Sequence, residues 1–461
     1  MRTWIKVTLL VLLAVGLSWG GAIWFWRATN RMPATQDLVL YLVMLPLALL
    51  LAFWLGRKLI DAIAAAPVAA AAAASAEPAA PPAPKAAPLA LVAVSLRTAH
   101  GARADELSGA ILEHKARAEL DPKLVDEHGF PVMTARVEEA DDAGLQEEVT
   151  EWFTQKGGPD LDFDEPQWRA LVLATAVAGE LASAAAGSLM PAEGLPPVLH
   201  LLPILPSDWT LEQRRTGGLW LQHVVSQRGW PLARIALAAE VPGDPRAASP
   251  SAVLGRLAHQ GMLSGLPVVG MLVAGASALA DASISKWEAN NTLFTATRAQ
   301  GLVPGEGAAG LLLTDLRQVQ AIDGAVYAML DLEADTPRHN SADEAKKADA
   351  KLLVTMTGKV LSSGGAEAGQ VAMLVADTGH RTSRVLELMD MTAVALAHLD
   401  PDTDVVRVGG ACGTCGAVPF VTALAVAHHH AIELAAPVLC ISNEDPYRRS
   451  AVLVRPAAAL S

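Results

Sequence analysis

Val7 to Trp26 is an unbroken run of apolar and small residues, and no other feature of the chain restricts its fold so tightly. About 20 such residues, wound as a helix, cross the roughly 30 Å hydrocarbon layer of a bilayer. Trp4, Trp19, Trp24 and Trp26 lie toward its ends, where indole rings favour the membrane interface. A second run, Leu38 to Leu55, contains Pro46 and stops at Arg57 and Lys58. Proline is tolerated there because neighbouring helices re-satisfy the freed backbone. The pattern predicts a transmembrane helical hairpin over residues 1–60, touching lipid through residues 7–55. A cleaved signal peptide is the competing reading. Against it, the run is long for such a segment, no A-x-A site follows Trp26, and a second span arrives at once. Arg2, Lys6, Arg57 and Lys58 flank the pair, against Arg27 and Arg31 in the connecting loop, so both ends are expected in the cytoplasm.

Residues 61–88 are almost all Ala and Pro. The Ala half can extend the second helix, and the Pro half must be extended and stiff, so the segment reads as a spacer. The rest of the 461-residue chain is long enough for a sizeable soluble body. Aromatics make up only 5% of the chain, so its core must be built from Ala, Val and Leu. Small residues let helices sit close to a sheet, which suits a layered α/β fold. The net charge of −13 excludes nucleic acid as a main partner. The only cysteines are Cys412, Cys415 and Cys440, too few and too late for a disulfide framework, as a reducing compartment requires.

Residues 89–160 read as a small α/β segment of the soluble body. Leu89 to Leu96 is a buried-strand pattern, Ala104 to Glu119 a helix, Phe130 to Val137 a strand and Gly144 to Phe153 a helix. The acidic run Glu138 to Asp142 reads as a solvated face. Residues 161–461 continue the alternation: helix Trp168 to Met190, strand Val198 to Leu205, helix Leu211 to Gln227, strand Ala233 to Ala238. Such alternation predicts a mixed or parallel sheet covered on both faces by helices. Gly261 to Ala280 is uncharged and long enough for a third span, but Pro267 and four glycines split it. It is read instead as a helix end, a turn and a buried strand, Val268 to Ala274.

Gly301 to Asp315 (GLVPGEGAAGLLLTD) resembles the GEGA turn and strand of the β-ketoacyl synthases, in the thiolase-like superfamily. VVGMLVAGAS resembles the strand before it. Gly416-Ala417-Val418 resembles the opening of a late helix, and Val438 to Val454 the terminal hairpin. The resemblance implies a duplicated, five-layered α/β/α/β/α body. The reactive side chains of that family do not carry over. A ketoacyl synthase needs a cysteine at a helix N-terminus, where the dipole favours the thiolate, and two histidines for proton movement and oxyanion stabilisation. The nucleophile position falls near Ala247 to Ser251, which contains Ser249 and Ser251 but no cysteine. His380 is near one histidine position but displaced, and the other falls near Gly410.

The remaining motifs carry bland readings beside the functional ones. Cys412-Gly-Thr-Cys415 before an apolar helix has the placement of a redox pair, or of half a zinc site with His428, His429 and His430 downstream. C-x-x-C alone is weak, and cysteines in tight packing are the default. His223, His259 and His398 sit in helical patterns, and Arg448-Arg449 reads as turn charge. Gly364-Gly365 and Gly305 to Gly310 are turns, since neither has the Lys-Ser/Thr of a phosphate loop. The expected site therefore has no catalytic residue, cofactor or metal, with Cys412, Cys415 and His428 as weak metal candidates.

The arrangement as a whole resembles the type VI lipase adaptor proteins: paired N-terminal membrane segments, an Ala/Pro spacer, the segment Leu107 to Val137 and a degenerate thiolase-like body. That resemblance implies a non-enzymatic adaptor in a bacterial inner membrane. Its partners would be a lipase effector and the spike protein of a type VI secretion system, met in the cytoplasm. The alternatives are an acyl-transfer enzyme with an unrecognised nucleophile, and a structural component of an envelope complex with Gly261 to Ala280 inserted.

Overall fold

The computed structural model describes residues 88–156, 163–191, 193–238, 249–264, 267–320, 322, 324–338, 340–343 and 349–457, with Trp19, Arg27, Ala28 and Met44. The two expected membrane segments, most of the Ala/Pro spacer and Ala247-Ala248 lie outside the described residues. Residues Ala86–Ser461 form a single compact unit.

The first half of this unit contains β1 (Leu89–Arg97), α1 (Ala104–Leu112), the hairpin β2 (Glu119–Val125) and β3 (Pro131–Thr134), then α2 (Ala143–Gln155) and α3 (Glu165–Ser188). It continues through β4 (Leu199–Ile204), α4 (Leu211–Gln227), β5 (Ile235–Leu237), α5 (Pro250–Ser264), β6 (Val269–Ser277), α6 (Asp281–Ala289) and β7 (Glu306–Thr314). The second half contains α7 (Leu316–Gln320), β8 (Ala328–Pro337), α8 (Lys351–Gly364), β9 (Met373–Ala376), α9 (Thr382–Ala395) and β10 (Val405–Arg407). It ends with the short α10 (Gly409–Cys412), α11 (Val418–Glu433) and the hairpin β11 (Val438–Ser442) and β12 (Arg448–Pro456).

The two halves repeat one topology. Strand order is β5-β4-β6-β7-β1 in the first and β10-β9-β11-β12-β8 in the second. In each, three strands run parallel and the last two pair antiparallel. The halves meet edge to edge where β1 and β8 pair over three residues, from Leu89 opposite Leu330 to Leu91 opposite Ala328. α3 and α4 cover one outer face and α8 and α9 the other, each over its own apolar layer. A central layer carries α5 and α11 between the two half-sheets. This is the five-layered, duplicated arrangement, built on a mixed sheet. β1, from the segment 89–160, is a central strand of it, between β7 and β8.

Local chemistry explains the elements. α3 starts at a capping box in which Asp164 and Gln167 satisfy each other's backbone N–H, and α4 starts the same way at Thr210 and Gln213. α8 stops at Gly365, whose φ of +68° suits glycine. β7 is buried along its whole length and β6 along all but its last residue. That matches their unbroken apolar runs and places a strand inside the Gly261–Ala280 segment. Small residues set the spacing of α3: a Cβ on Gly310 would meet the Leu181 Cδ1 at 2.6 Å, and one on Gly275 the Ala174 Cβ at 2.9 Å. Among the described residues α3 is long and apolar enough to cross a membrane, and most of its apolar stretch is buried in the body.

One sequence expectation is corrected. The helix expected over Ala104–Glu119 ends at Leu112, because His114 takes a left-handed φ of 59° and the chain turns into β2. The four acids of the run Glu138 to Asp142 are exposed as expected, with Ala140 alone turned inward and Asp141 reaching from the surface to Arg169.

Arg169 on α3 is 1% exposed and Glu306 at the start of β7 is 0% exposed. The guanidinium donates to both carboxylate oxygens, at 2.8 and 2.5 Å, and also to the Val137 carbonyl at 2.9 Å and Asp141 at 2.8 Å. Glu306 further accepts from the Val137 N–H and the Ser277 hydroxyl. Every charge in this hub has partners, the condition under which a buried ion pair is tolerated. Arg169→Ala leaves the carboxylate unpaired, and the expected loss is about 3–5 kcal/mol in urea unfolding. A loss below about 1 kcal/mol would show that the hub is dispensable.

Candidate functional site

The loops that follow β9 and β11 come together with the segment 301–303 that leads toward β7. Here a closed-in cavity of about 20 Å³ is lined by Gly301 to Val303, Gly379 to Arg381, Gly409, Gly413, Thr414 and Glu444. Close backbone contact leaves no room for side chains on much of its wall. A Cβ on Gly409 would lie 2.1 Å from the Asp377 carbonyl oxygen, and one on Gly305 2.0 Å from that of Cys412.

The polar groups around this cavity are partners of one another. Arg381 donates to Glu444 at 2.8 Å and to Asp343 at 2.8 Å, and Arg384 donates to the same Asp343 oxygen at 2.6 Å. Glu444 accepts in addition from the Gly379 N–H at 2.9 Å. His380 packs edge-on against Phe294, with ring centroids 5.1 Å apart. Burial lowers its pKa, so the neutral ring is favoured. Behind the cavity, the buried Asp377 accepts from the Ser442 hydroxyl at 2.5 Å and from the backbone N–H groups of Asn443 and Glu444 at 2.8 and 3.2 Å. Asp377 thereby holds the loop that carries Glu444. Asn443 completes the set, accepting from Thr378 at 2.6 Å and donating to the Arg384 carbonyl.

The start of α5, expected from the resemblance to hold the reactive residue, has different company. Ser249 caps the helix by accepting from the Ala252 N–H at 3.2 Å, and its hydroxyl donates to Asp335 of β8. Asp335 also accepts from Ser450 at 2.5 Å. The Ser251 hydroxyl is buried and has no hydrogen-bond partner. Among the described residues no imidazole bonds to either serine. A hydroxyl without a base is a poor nucleophile.

Cys412 is buried in the last turn of α10, and burial pushes its thiol up to about 12. Cys415 is raised well above its ordinary value, first by burial and then by Cys412 and Glu306. Thiolates, which redox chemistry and metal ligation both need, are thus opposed at both positions. His428 is half-buried against the Leu91 backbone, and its pKa falls to about 4, first through desolvation and then through His429. The described residues bring one set of donors to metal spacing, His429, His430 and Glu433, and it includes none of Cys412, Cys415 and His428.

His223 stacks beside Trp152, with centroids 4.8 Å apart, and His259 lies on an exposed face of α5. His398 is in a turn, 2.8 Å from the Val371 carbonyl oxygen. Arg449 corrects the expectation of turn charge. It is a fully buried strand residue, and its guanidinium donates to both oxygens of Glu387 at 2.9 and 2.7 Å. Asp335, Asp377, Arg381, Glu387 and Glu444 escaped the sequence reading. Asp377 carries a faint signal, an acid directly after the apolar MLVA of β9.

Solved structures with this arrangement are ketosynthases. The ketosynthase from module 6 of the bacillaene synthase of Bacillus subtilis 168 matches with a TM-score of 0.55 and 11% identity, over 81% of this chain and 72% of that one. A β-ketoacyl synthase from Burkholderia phymatum STM815 matches with a TM-score of 0.53 and 14% identity, over 81% and 100%. A type II polyketide synthase acyl-carrier protein in complex with its ketosynthase matches with a TM-score of 0.55 and 12% identity, over 80% and 100%. The body therefore has the thiolase-like ketosynthase fold, and at this identity the likeness establishes fold alone. No family model matches the chain, and no curated protein does either.

Burial pushes Asp377 up to about 6 against the pull of its three donors. An acid whose folded pKa is raised stabilises the fold fully below about pH 4 and loses that contribution as pH rises through about 6. Asp377→Asn removes this titration. Between about pH 4 and pH 7 the variant is expected to lose about 3 kcal/mol less stability than the parent in urea unfolding. Parallel pH profiles for the two proteins would contradict the assignment.

Proposed function

We propose that the chain is a non-enzymatic, membrane-anchored adaptor that binds a lipase effector and helps load it onto the spike of a type VI secretion system. One observation carries the non-enzymatic part: at the start of α5 the Ser249 hydroxyl donates to a carboxylate and the Ser251 hydroxyl has no hydrogen-bond partner, and among the described residues no imidazole bonds to either. The cavity at the ends of β9 and β11 supports it further. It is small, and Arg381 is occupied by Glu444 and Asp343. A site for acyl transfer needs a nucleophile, a base and donors aimed at a developing oxyanion.

In this reading the runs Val7–Trp26 and Leu38–Leu55 anchor the chain in a bacterial inner membrane, with the body in the cytoplasm. The partners rest on the resemblance in overall pattern to the lipase adaptors. The exposed face of α5 that carries Ala252, Gly255, Arg256, His259, Gln260 and Leu263 offers the body a shallow, open surface for a partner.

The chain shortened to begin at residue 89 is expected to be soluble and to co-purify from its native host with one dominant protein, identified by mass spectrometry as a lipase. An electrophilic acyl probe is expected to leave Ser249, Ser251 and Cys412 unlabelled. Absence of any stable partner, or stoichiometric labelling at one of those residues, overturns the proposal.

A further inference from the structure

The C-terminal turn of α11 presents three donors on one side: His429, His430 and Glu433. Their ligating atoms all lie within 4.8 Å of one another. His429 Nε2 is 3.2 Å and His430 Nδ1 3.6 Å from the same carboxylate oxygen, Glu433 Oε2. A tetrahedral zinc ion with bonds of about 2.0–2.1 Å sets its ligand atoms roughly 3.3 Å apart. The two measured edges bracket that spacing. The His430–Glu433 separation is longer than a hydrogen bond, so a proton shared between those atoms does not account for it.

The inner ligand is oriented from behind. His430 Nε2 lies 2.7 Å from the hydroxyl of Ser108 on α1, and both residues are buried. With its proton on Nε2 and directed at Ser108, the ring turns the Nδ1 lone pair toward Glu433. Metal-bound histidines are characteristically held by such a contact on the second ring nitrogen. The outer ligands are accessible, the His429 side chain being 30% and the Glu433 side chain 59% exposed. The set also sits where the negative end of the α11 dipole favours a cation. His428 packs against β1 instead and takes no part.

We propose that His429, His430 and Glu433 bind a zinc-class divalent cation, with Ser108 as a positioning residue and one coordination position left open to solvent. Two imidazoles and one carboxylate suit zinc and disfavour magnesium, which prefers oxygen ligands. The rival account is an ion pair between a protonated imidazole and Glu433.

The test uses the full chain in detergent, without a polyhistidine tag, titrated with Zn²⁺ alone against a chromogenic competing chelator. One equivalent is expected to bind, with no competition from Mg²⁺. His429→Ala and Glu433→Gln change partly exposed residues, and each is expected to weaken binding at least about tenfold while the metal-free melting temperature is unchanged. Ser108→Ala is expected to weaken it by about tenfold, and His128→Ala, at a remote exposed histidine, to leave it unchanged. Failure to bind one equivalent, or binding that survives either His429→Ala or Glu433→Gln, overturns the site and leaves the ion pair.

Discussion

The contact between Arg169 and Glu306 is the constraint around which the first half of the body is arranged. The arginine comes from α3, on an outer face, and the glutamate from the start of β7 in the sheet. Ser277 at the end of β6 and Val137 in the chain leaving β3 join the same carboxylate. A helix, two strands and the hairpin connection are thereby fixed to one group of atoms. An unpaired charge at 0% exposure is strongly destabilising, so each of these elements must arrive in register for the others to be tolerated. The glutamate of the GEGA turn thus has a structural task. The second half contains a counterpart in Arg449 and Glu387, which tie β12 to α9.

The same preference for satisfied charge closes the cleft at the end of the second half-sheet. Asp377, Arg381, Asp343 and Glu444 bond to each other and to backbone N–H groups. Reactive sites keep groups poised and incompletely satisfied, with pKa values set for proton transfer. Here the perturbed carboxyl, Asp377, lies behind the cavity wall and spends its oxygens on holding a loop. The fold's frame is intact, and its charged groups act inward.

Much of the frame was legible in the sequence because the signals are local. β6 read as a strand from a charge-free run split by Gly and Pro, β7 from its likeness to the GEGA turn and strand, and α4 from the helix–strand alternation over Leu211–Gln227. The duplicated layers came through the GEGA and GAV segments. β2 was not legible: ELDPKLV contains a proline and alternates poorly. It is held instead by Asp121, which accepts from Arg136, Thr134 and two backbone N–H groups and, despite burial, has its pKa held down to about 2. Of the candidate site, the segment around His380 was legible, and the acids and bases beside it were not. Which acid meets which base across β9, β11, α9 and the loops depends on tertiary pairing between distant stretches, and periodicity carries no record of it. The donors at the end of α11 were partly visible as three consecutive histidines, but only coordinates separate His428 from the other two.

β1 has a consequence for how the molecule is made. It is the first strand of the body to leave the ribosome, yet its partners are β7, beginning at Glu306, and β8, beginning at Ala328. Its apolar sequence LALVAVSLR therefore waits, unpaired on both edges, while most of the first half is synthesised. Unsatisfied strand edges of this kind are templates for pairing with the wrong chain. Long-range pairing also slows folding. Newborn chains of this protein thus pass through an interval in which a chaperone, or rapid burial beneath α3, decides between folding and aggregation.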